Sequence, residues 1–219
     1  MKVISASRRV DMVAGYPDLL VELLDSRCPP EKVHTIVLWT KNAANLFTHK
    51  SLISSLAKYD QLFLHFSITG MGGTLLEPHI PPVETSLSLI PSLIKLVKDS
   101  SRIRIRFDPI VHFKMQDGSV YSNFKCFESI AKRIASYDIK NVSISWMQLY
   151  KKVITRLRKA GIEHIEISHE DWERESASLQ EIGFFSRSWR NPQYIVLRIM
   201  WEANSFKNQF MSSVLWNFH

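Results

Sequence analysis

Cysteine is nearly missing from this 219-residue sequence, which holds only Cys28 and Cys126. Two thiols far apart write neither a disulfide framework nor a Cys-based metal motif, and two reduced cysteines suit a reducing compartment. Long apolar runs are missing too. None approaches the roughly 18 to 20 residues that a membrane-spanning helix needs. The start, Met1-Lys2-Val3-Ile4-Ser5, is a short strand-like run without a signal peptide's apolar stretch. These absences predict a cytoplasmic protein with no membrane partner. Glycine is scarce, at 7 residues, and no Gly-x-Gly-x-x-Gly follows the first strand-like run, which argues against a dinucleotide-binding open sheet. No His-x-x-x-His or Cys-His spacing supports a metal centre. His79, His112 and His169 therefore read as isolated, and no metal is assigned.

Apolar residues at 45% and charged residues at 22% are ordinary for a globular chain and exclude disorder. The net charge of +7 is divided unevenly. Residues 1 to 182 carry 24 basic and 20 acidic side chains, whereas residues 183 to 219 carry Arg187, Arg190, Arg198 and Lys207 against Glu202 alone. A basic surface attracts phosphates through a long-range field, so an anionic partner is compatible with this charge but is not identified by it.

Short β-branched or aromatic runs recur at Val3 to Ala6, Thr35 to Trp39, Leu62 to Ser67, Ile103 to Phe107, Val142 to Trp146 and Ile165 to Ser168. Their mostly continuous apolarity predicts parallel strands buried on both faces. Between them lie helically spaced stripes: Leu20, Leu23 and Leu24; Leu52, Ile53 and Leu56; Leu89, Leu93 and Val97; Phe127, Ile130 and Ile134. Pro17, Pro82 and Pro91 fall near helix starts, Gly161 fits a C-terminal cap, and Ser168 with Asp171 forms a capping pair. The fold class expected is α/β, built of repeated strand-helix units as a complete or partial TIM-like (β/α) barrel of parallel strands. Residues 1–183 read as one barrel-like domain. Residues 184–219, with three of the six Trp and five of the twelve Phe, read as an atypical aromatic, basic tail in which Tyr194 to Met200 is a possible strand.

In parallel α/β folds ligands bind at the carboxyl ends of the strands, where loops converge and helix N-termini point free N–H groups inward. The polar residues after each predicted strand are therefore the candidates. Arg8 and Arg9 with Asp11, beside Ser7, offer a fork that clamps a carboxylate or phosphate, or else an Arg-Asp pair tying the first loop to the rim. Lys41, between Thr40 and Asn42, is a point charge for an anion, a base if desolvated, or a solvated surface residue. Thr69-Gly70-Met71-Gly72-Gly73 lets backbone approach a ligand, or is a wide turn before Pro78. Arg104, Arg106 and Asp108 share one parity of the fourth strand, which implies a charge network in the barrel mouth or a strand exposed on one face.

In combination, Ile4-Ser5-Ala6-Ser7-Arg8-Arg9-Val10-Asp11, Leu38-Trp39-Thr40-Lys41-Asn42, Ser67-Ile68-Thr69-Gly70, Leu76-Glu77-Pro78, Arg106-Phe107-Asp108-Pro109-Ile110 and Leu149-Tyr150-Lys151-Lys152 resemble a prokaryotic domain-of-unknown-function family related to radical S-adenosylmethionine proteins. The resemblance runs from the N-terminus to about residue 170. It implies a barrel-like fold and, in full-length relatives, a cysteine-rich C-terminal region that ligates an iron-sulfur cluster and supports S-adenosylmethionine chemistry. A cluster needs three or four thiolates close together, so neither cofactor is expected in this chain. Gln148 is a second departure, standing where relatives tend to carry an acid. The tail reads as a shortened or altered-frame ending.

Three functions are compatible with these residues. One is a cluster-lacking barrel protein that binds a small anionic ligand through Ser7, Arg8, Arg9, Asp11, Thr40, Asn42, Thr69, Gly70 and Arg106. Another is a cofactor-free enzyme acting on a phosphorylated or carboxylated small molecule, in which Lys41 or Asp108 transfers a proton. The third is a non-catalytic nucleic-acid-binding protein using the aromatic tail, although no motif supports it. The sequence leaves cofactor, substrate and oligomeric state open.

Overall fold

The computed structural model describes residues 1–6, 10–188 and 191–199. In chain order its elements are β1 (Lys2–Ala6), α1 (Met12–Gly15), α2 (Pro17–Arg27), β2 (Val33–Thr40), α3 (Asn45–Thr48), α4 (Lys50–Leu56), β3 (Leu62–Ser67), α5 (Val83–Ser88), α6 (Ile90–Val97), β4 (Ile103–Ile110), β5 (His112–Lys114), β6 (Val120–Ser122), α7 (Phe127–Ala135), β7 (Asn141–Trp146), α8 (Lys151–Lys159), β8 (Glu163–His164), α9 (His169–Ile182), β9 (Gly183–Ser188) and β10 (Asn191–Ile199). No helix among the described residues is long and apolar enough to cross a membrane.

The fold is α/β around a central parallel sheet. β1, β2, β3, β4 and β7 lie side by side in chain order and pair in parallel. No strand order reverses within this set, so it lacks the switch point of a doubly wound sheet. β10 then pairs antiparallel with β7, and β9 antiparallel with β10. Among the described residues the sheet ends at β1 on one side and β9 on the other, and the closed barrel is not formed.

The expected sixth strand is also corrected. Residues 165 to 168 lie outside any strand. The two-residue β8 just before them pairs antiparallel with β5, and the Ile165 N–H donates to the His112 carbonyl at 2.9 Å. With that backbone engaged elsewhere, the place beside β7 is taken by β10, whose Tyr194 to Arg198 pairs with β7 over five residues. Met200 and the remainder of the tail to His219 lie outside the described residues, as do Trp189 and Arg190.

Among the five parallel strands only one face is apolar throughout. Ile36, Leu38, Leu64, Phe66, Ile103, Ile105, Phe107, Val142 and Ile144 are buried there in one cluster with Leu20 and Leu24 of α2, Leu52 and Leu56 of α4, Ile90 and Leu93 of α6, and Ile130 and Ile134 of α7. The alternate residues, Val37, Trp39, Phe63, His65, Arg104, Arg106, Asp108 and Ser145, are half-buried on the opposite face. The strands therefore alternate, and the expectation of apolar burial on both faces holds for one face only.

Local punctuation explains the element ends. Pro17 opens α2, where its missing N–H has no helical partner to lose. Ser168 and Asp171 form the reciprocal cap of α9, with the Asp171 N–H donating to Ser168 Oγ at 3.0 Å and Ser168 Oγ donating to Asp171 Oδ2 at 2.8 Å. Gly161, at φ +63°, turns the chain after α8 in the left-handed region open to glycine.

Candidate functional site

Two polar groups form at the carboxyl ends of the parallel strands. The first is built around Asp11, which follows β1. Its Oδ1 accepts from the Ala14 N–H at 2.9 Å and so caps α1, while its Oδ2 accepts from the Lys41 N–H at 2.8 Å. Thr40 Oγ1 lies 2.9 Å from the same Oδ2 and 2.8 Å from the Asn42 carbonyl, its single proton serving one of them, and it accepts from the Asn42 N–H at 3.0 Å. Asn42 Oδ1 accepts from the Ala44 N–H at 3.1 Å and shapes the turn into α3. This carboxylate is used to tie the loop after β1 to the end of β2.

The Lys41 side chain leaves that group and pairs with Glu77 Oε1, while Thr69 Oγ1 donates to Glu77 Oε2 at 2.5 Å. Glu77 is carried by the loop after β3, which folds tightly on itself. A Cβ at Gly72 would stand 2.0 Å from the Pro81 carbonyl oxygen, and one at Gly70 would stand 3.1 Å from Cys126 Cβ, so the close backbone approaches are to the protein's own chain.

The second group lines the half-buried face. Trp39 Nε1 donates to Ser5 Oγ at 2.9 Å, and the indole stacks on His65 with centroids 3.7 Å apart and planes 2° from parallel. The Arg106 guanidinium carbon lies 5.0 Å from the Trp39 ring centroid, within reach of its π face. Arg106 Nη2 pairs with Asp108 Oδ2, and Ser145 Oγ donates to Asp108 Oδ1. The shared parity of Arg106 and Asp108 on β4 is thus realised as an ion pair. Arg104 points to the same face, and among the described residues it forms no ion pair.

The structure brings Asp11, Thr40 and Asn42 into one cluster, joins Lys41 to Thr69 through Glu77, sets Gly70 next to Thr69, and pairs Arg106 with Asp108. Ser7, Arg8 and Arg9 lie outside the described residues. Three contributors were not among the expected site residues. Glu77 is the sole charged residue between Ile68 and Val83, which was its available signal. Trp39 read as a core residue because it ends an apolar run. Asn123 had no signal at all, yet its fully buried carboxamide donates to the Thr69 and Pro109 carbonyls at 2.8 and 2.9 Å and accepts from the Val111 N–H at 2.8 Å, locking the loop after β3 to the end of β4.

The residues of this chain do not fit an iron-sulfur cluster. Cys28 ends α2 at the amino end of β2, whereas Cys126 packs on Gly70 at the carboxyl end of β3. Two thiols at opposite ends of the strands do not supply the thiolate set a cluster needs. Of the histidines, His112 lies 3.2 Å from Glu175, whose other oxygen accepts from Trp146 Nε1 at 2.9 Å. His164, on the neighbouring β8, is held below its ordinary pKa chiefly by burial, with His112 acting in the same direction and Glu166 against it.

A family model described as a domain of unknown function (DUF1848) matches residues 22–187, more than half of the chain. No curated protein and no solved structure matches the chain. The chain belongs to the DUF1848 family.

Proposed function

We propose that this member of the DUF1848 family binds a small anionic ligand, a carboxylate or phosphate ester, on the polar face of the sheet at the carboxyl ends of β1 to β4. The scaffold is read as part of a (β/α) barrel, because five parallel strands in chain order with helices on one face form the wall of such a barrel. The relation to radical S-adenosylmethionine proteins enters as this architecture alone, and no chemistry is routed through a cluster.

The observation that carries the reading is Arg106. Its side chain is 20% exposed, it is held against Asp108 and over Trp39, and its Nε has no hydrogen-bond partner among the described residues. A desolvated guanidinium with a donor to spare is suited to a planar anion. Charge on the face points the same way. Lys41, Arg104 and Arg106 stand there against Asp11, Glu77 and Asp108, and of the three cations Arg104 forms no ion pair among the described residues. Binding is favoured over proton transfer, because Asp108 spends one oxygen on Arg106 and the other on Ser145, and the Lys41 amine is engaged by Glu77.

The test is thermal and calorimetric titration of the full chain with pyrophosphate and with citrate at fixed ionic strength. A bound anion at about 100 times its Kd stabilises the fold by about 2.7 kcal/mol. Arg106→Lys, which keeps the charge and loses the fork, is expected to weaken binding about tenfold. Glu77→Gln, which releases Lys41, is expected to tighten it several-fold, and adding Lys41→Met removes that gain. Absence of stabilisation by either anion, or unchanged affinity in Arg106→Lys, defeats the reading.

A further inference from the structure

Helix α8 stands apart from the other long helices. Its nine residues hold Lys151, Lys152, Arg156, Arg158 and Lys159 and no acid, and none of them is buried. Among the described residues none of these five cations forms an ion pair. Beside them the surface is apolar. Leu149, Tyr150 and Ile154 are 46%, 60% and 38% exposed. A groove of about 430 Å³ opens here, lined by Leu149, Ile154, Leu157 and Ile162 with Arg158 and His164. Glu163, the one acid of the lining, is the strand partner of Lys114. Exposed aliphatic side chains gathered around a concavity and flanked by uncompensated like charge are costly on a surface that meets only water.

The chemistry of the patch selects among occupants. A second copy of this chain brings the same five cations to the same face in a two-fold contact, where they repel. Nucleic acid fits the cations and the exposed Tyr150 but leaves the aliphatic floor of Leu149, Ile154, Leu157 and Ile162 unused. A bilayer takes a protruding apolar ridge, and this surface is concave. A polypeptide segment satisfies both features, with aliphatic side chains at helical spacing entering the groove and carboxylates between them meeting the bases. We propose that the groove beside α8 docks an acidic amphipathic segment of another protein.

The experiment is fluorescence anisotropy of the full chain with a labelled synthetic helical peptide of about 15 residues, with Leu at i and i+4 positions and Glu between them. Binding is expected to weaken with salt. It is expected to fall at least about tenfold in Leu149→Ser with Ile154→Ser, exposed positions whose substitution is expected to leave the circular dichroism spectrum unchanged, and by a similar factor in Lys151→Glu with Lys152→Glu. The inference is overturned if the Leu/Glu peptide does not bind. Equal binding of a Glu/Ser peptide or of a Leu/Lys peptide overturns it as well, since charge or apolarity alone would then suffice. Preferential binding of phosphatidylglycerol vesicles or duplex DNA overturns it in favour of those partners. A benzophenone at position 154 that crosslinks to residues 200–219 of the same chain, or to a second copy, assigns the groove to that occupant instead.

Discussion

Asn123 is the residue on which the candidate site most depends without belonging to it. Its carboxamide makes three hydrogen bonds to backbone groups, those to Thr69 and Val111 fully buried and that to Pro109 partly so. Truncation strands one N–H and two carbonyls, and an unmade hydrogen bond in a buried place costs more than a made one contributes. Asn123→Ala is therefore expected to lower stability by about 3 kcal/mol in urea titrations. Asp11→Ala removes a helix cap and a loop tie, but in a half-buried position, and its expected cost is about 1 kcal/mol. An Asn123→Ala loss no larger than that of Asp11→Ala would remove Asn123 as the lock between the loops. Such a residue is invisible in sequence because a buried amide and a turn amide are the same letter. The places of Lys41, directly after the apolar run of β2, and of Arg106 and Asp108, on one parity of β4, were legible from residue order alone.

At the scale of elements, five strands were readable because each is a dense β-branched or aromatic run between helical stripes. Ile165 to Ser168 misled, since a short apolar run does not specify its partner, and here the backbone just before it pairs with β5. Alternation was masked for a related reason. The half-buried face holds Val37, Trp39 and Phe63 among its polar residues, so β2 and β3 read as mostly continuous apolar runs, whereas Ile103-Arg104-Ile105-Arg106 on β4 and Val142-Ser143-Ile144-Ser145 on β7 display the period of two. The small strand β8 has its own measurable signature. Burial keeps the pKa of His164 below the ordinary 6.5, so the unfolded chain takes up this proton more readily than the folded one. Stability is then lost as pH falls below 6.5 and the loss levels off beneath the folded pKa. His164→Phe is expected to flatten this part of the profile between about pH 7.5 and 5.5, read as urea midpoints. An equally steep profile in the variant would assign the dependence to other groups.

The described residues of the molecule form two hydrophobic clusters of very different size. The main one joins 32 buried residues across the parallel sheet and its helices, whereas Met71, Val111, Phe113 and Ile162 form a separate one under the three-stranded sheet of β6, β5 and β8. Opening free energy follows the apolar surface that an opening exposes, so a cluster of four buried residues beside strands of two or three residues is expected to open well before the main sheet. Native-state hydrogen exchange reports the difference at individual amides. The Met115 N–H, bonded to the Ser119 carbonyl at 2.8 Å, and the Ile165 N–H, bonded to the His112 carbonyl at 2.9 Å, belong to the small unit. The Ile36 N–H, bonded to the Gln61 carbonyl, and the Ile68 N–H, bonded to the Arg106 carbonyl, both at 3.0 Å, belong to the large one. The first two are expected to exchange through openings of lower free energy and weak urea dependence, and the second two through global unfolding with its full urea dependence. One free energy and one urea slope shared by all four amides would mean that Asn123, which spans the two units, couples them into a single cooperative body.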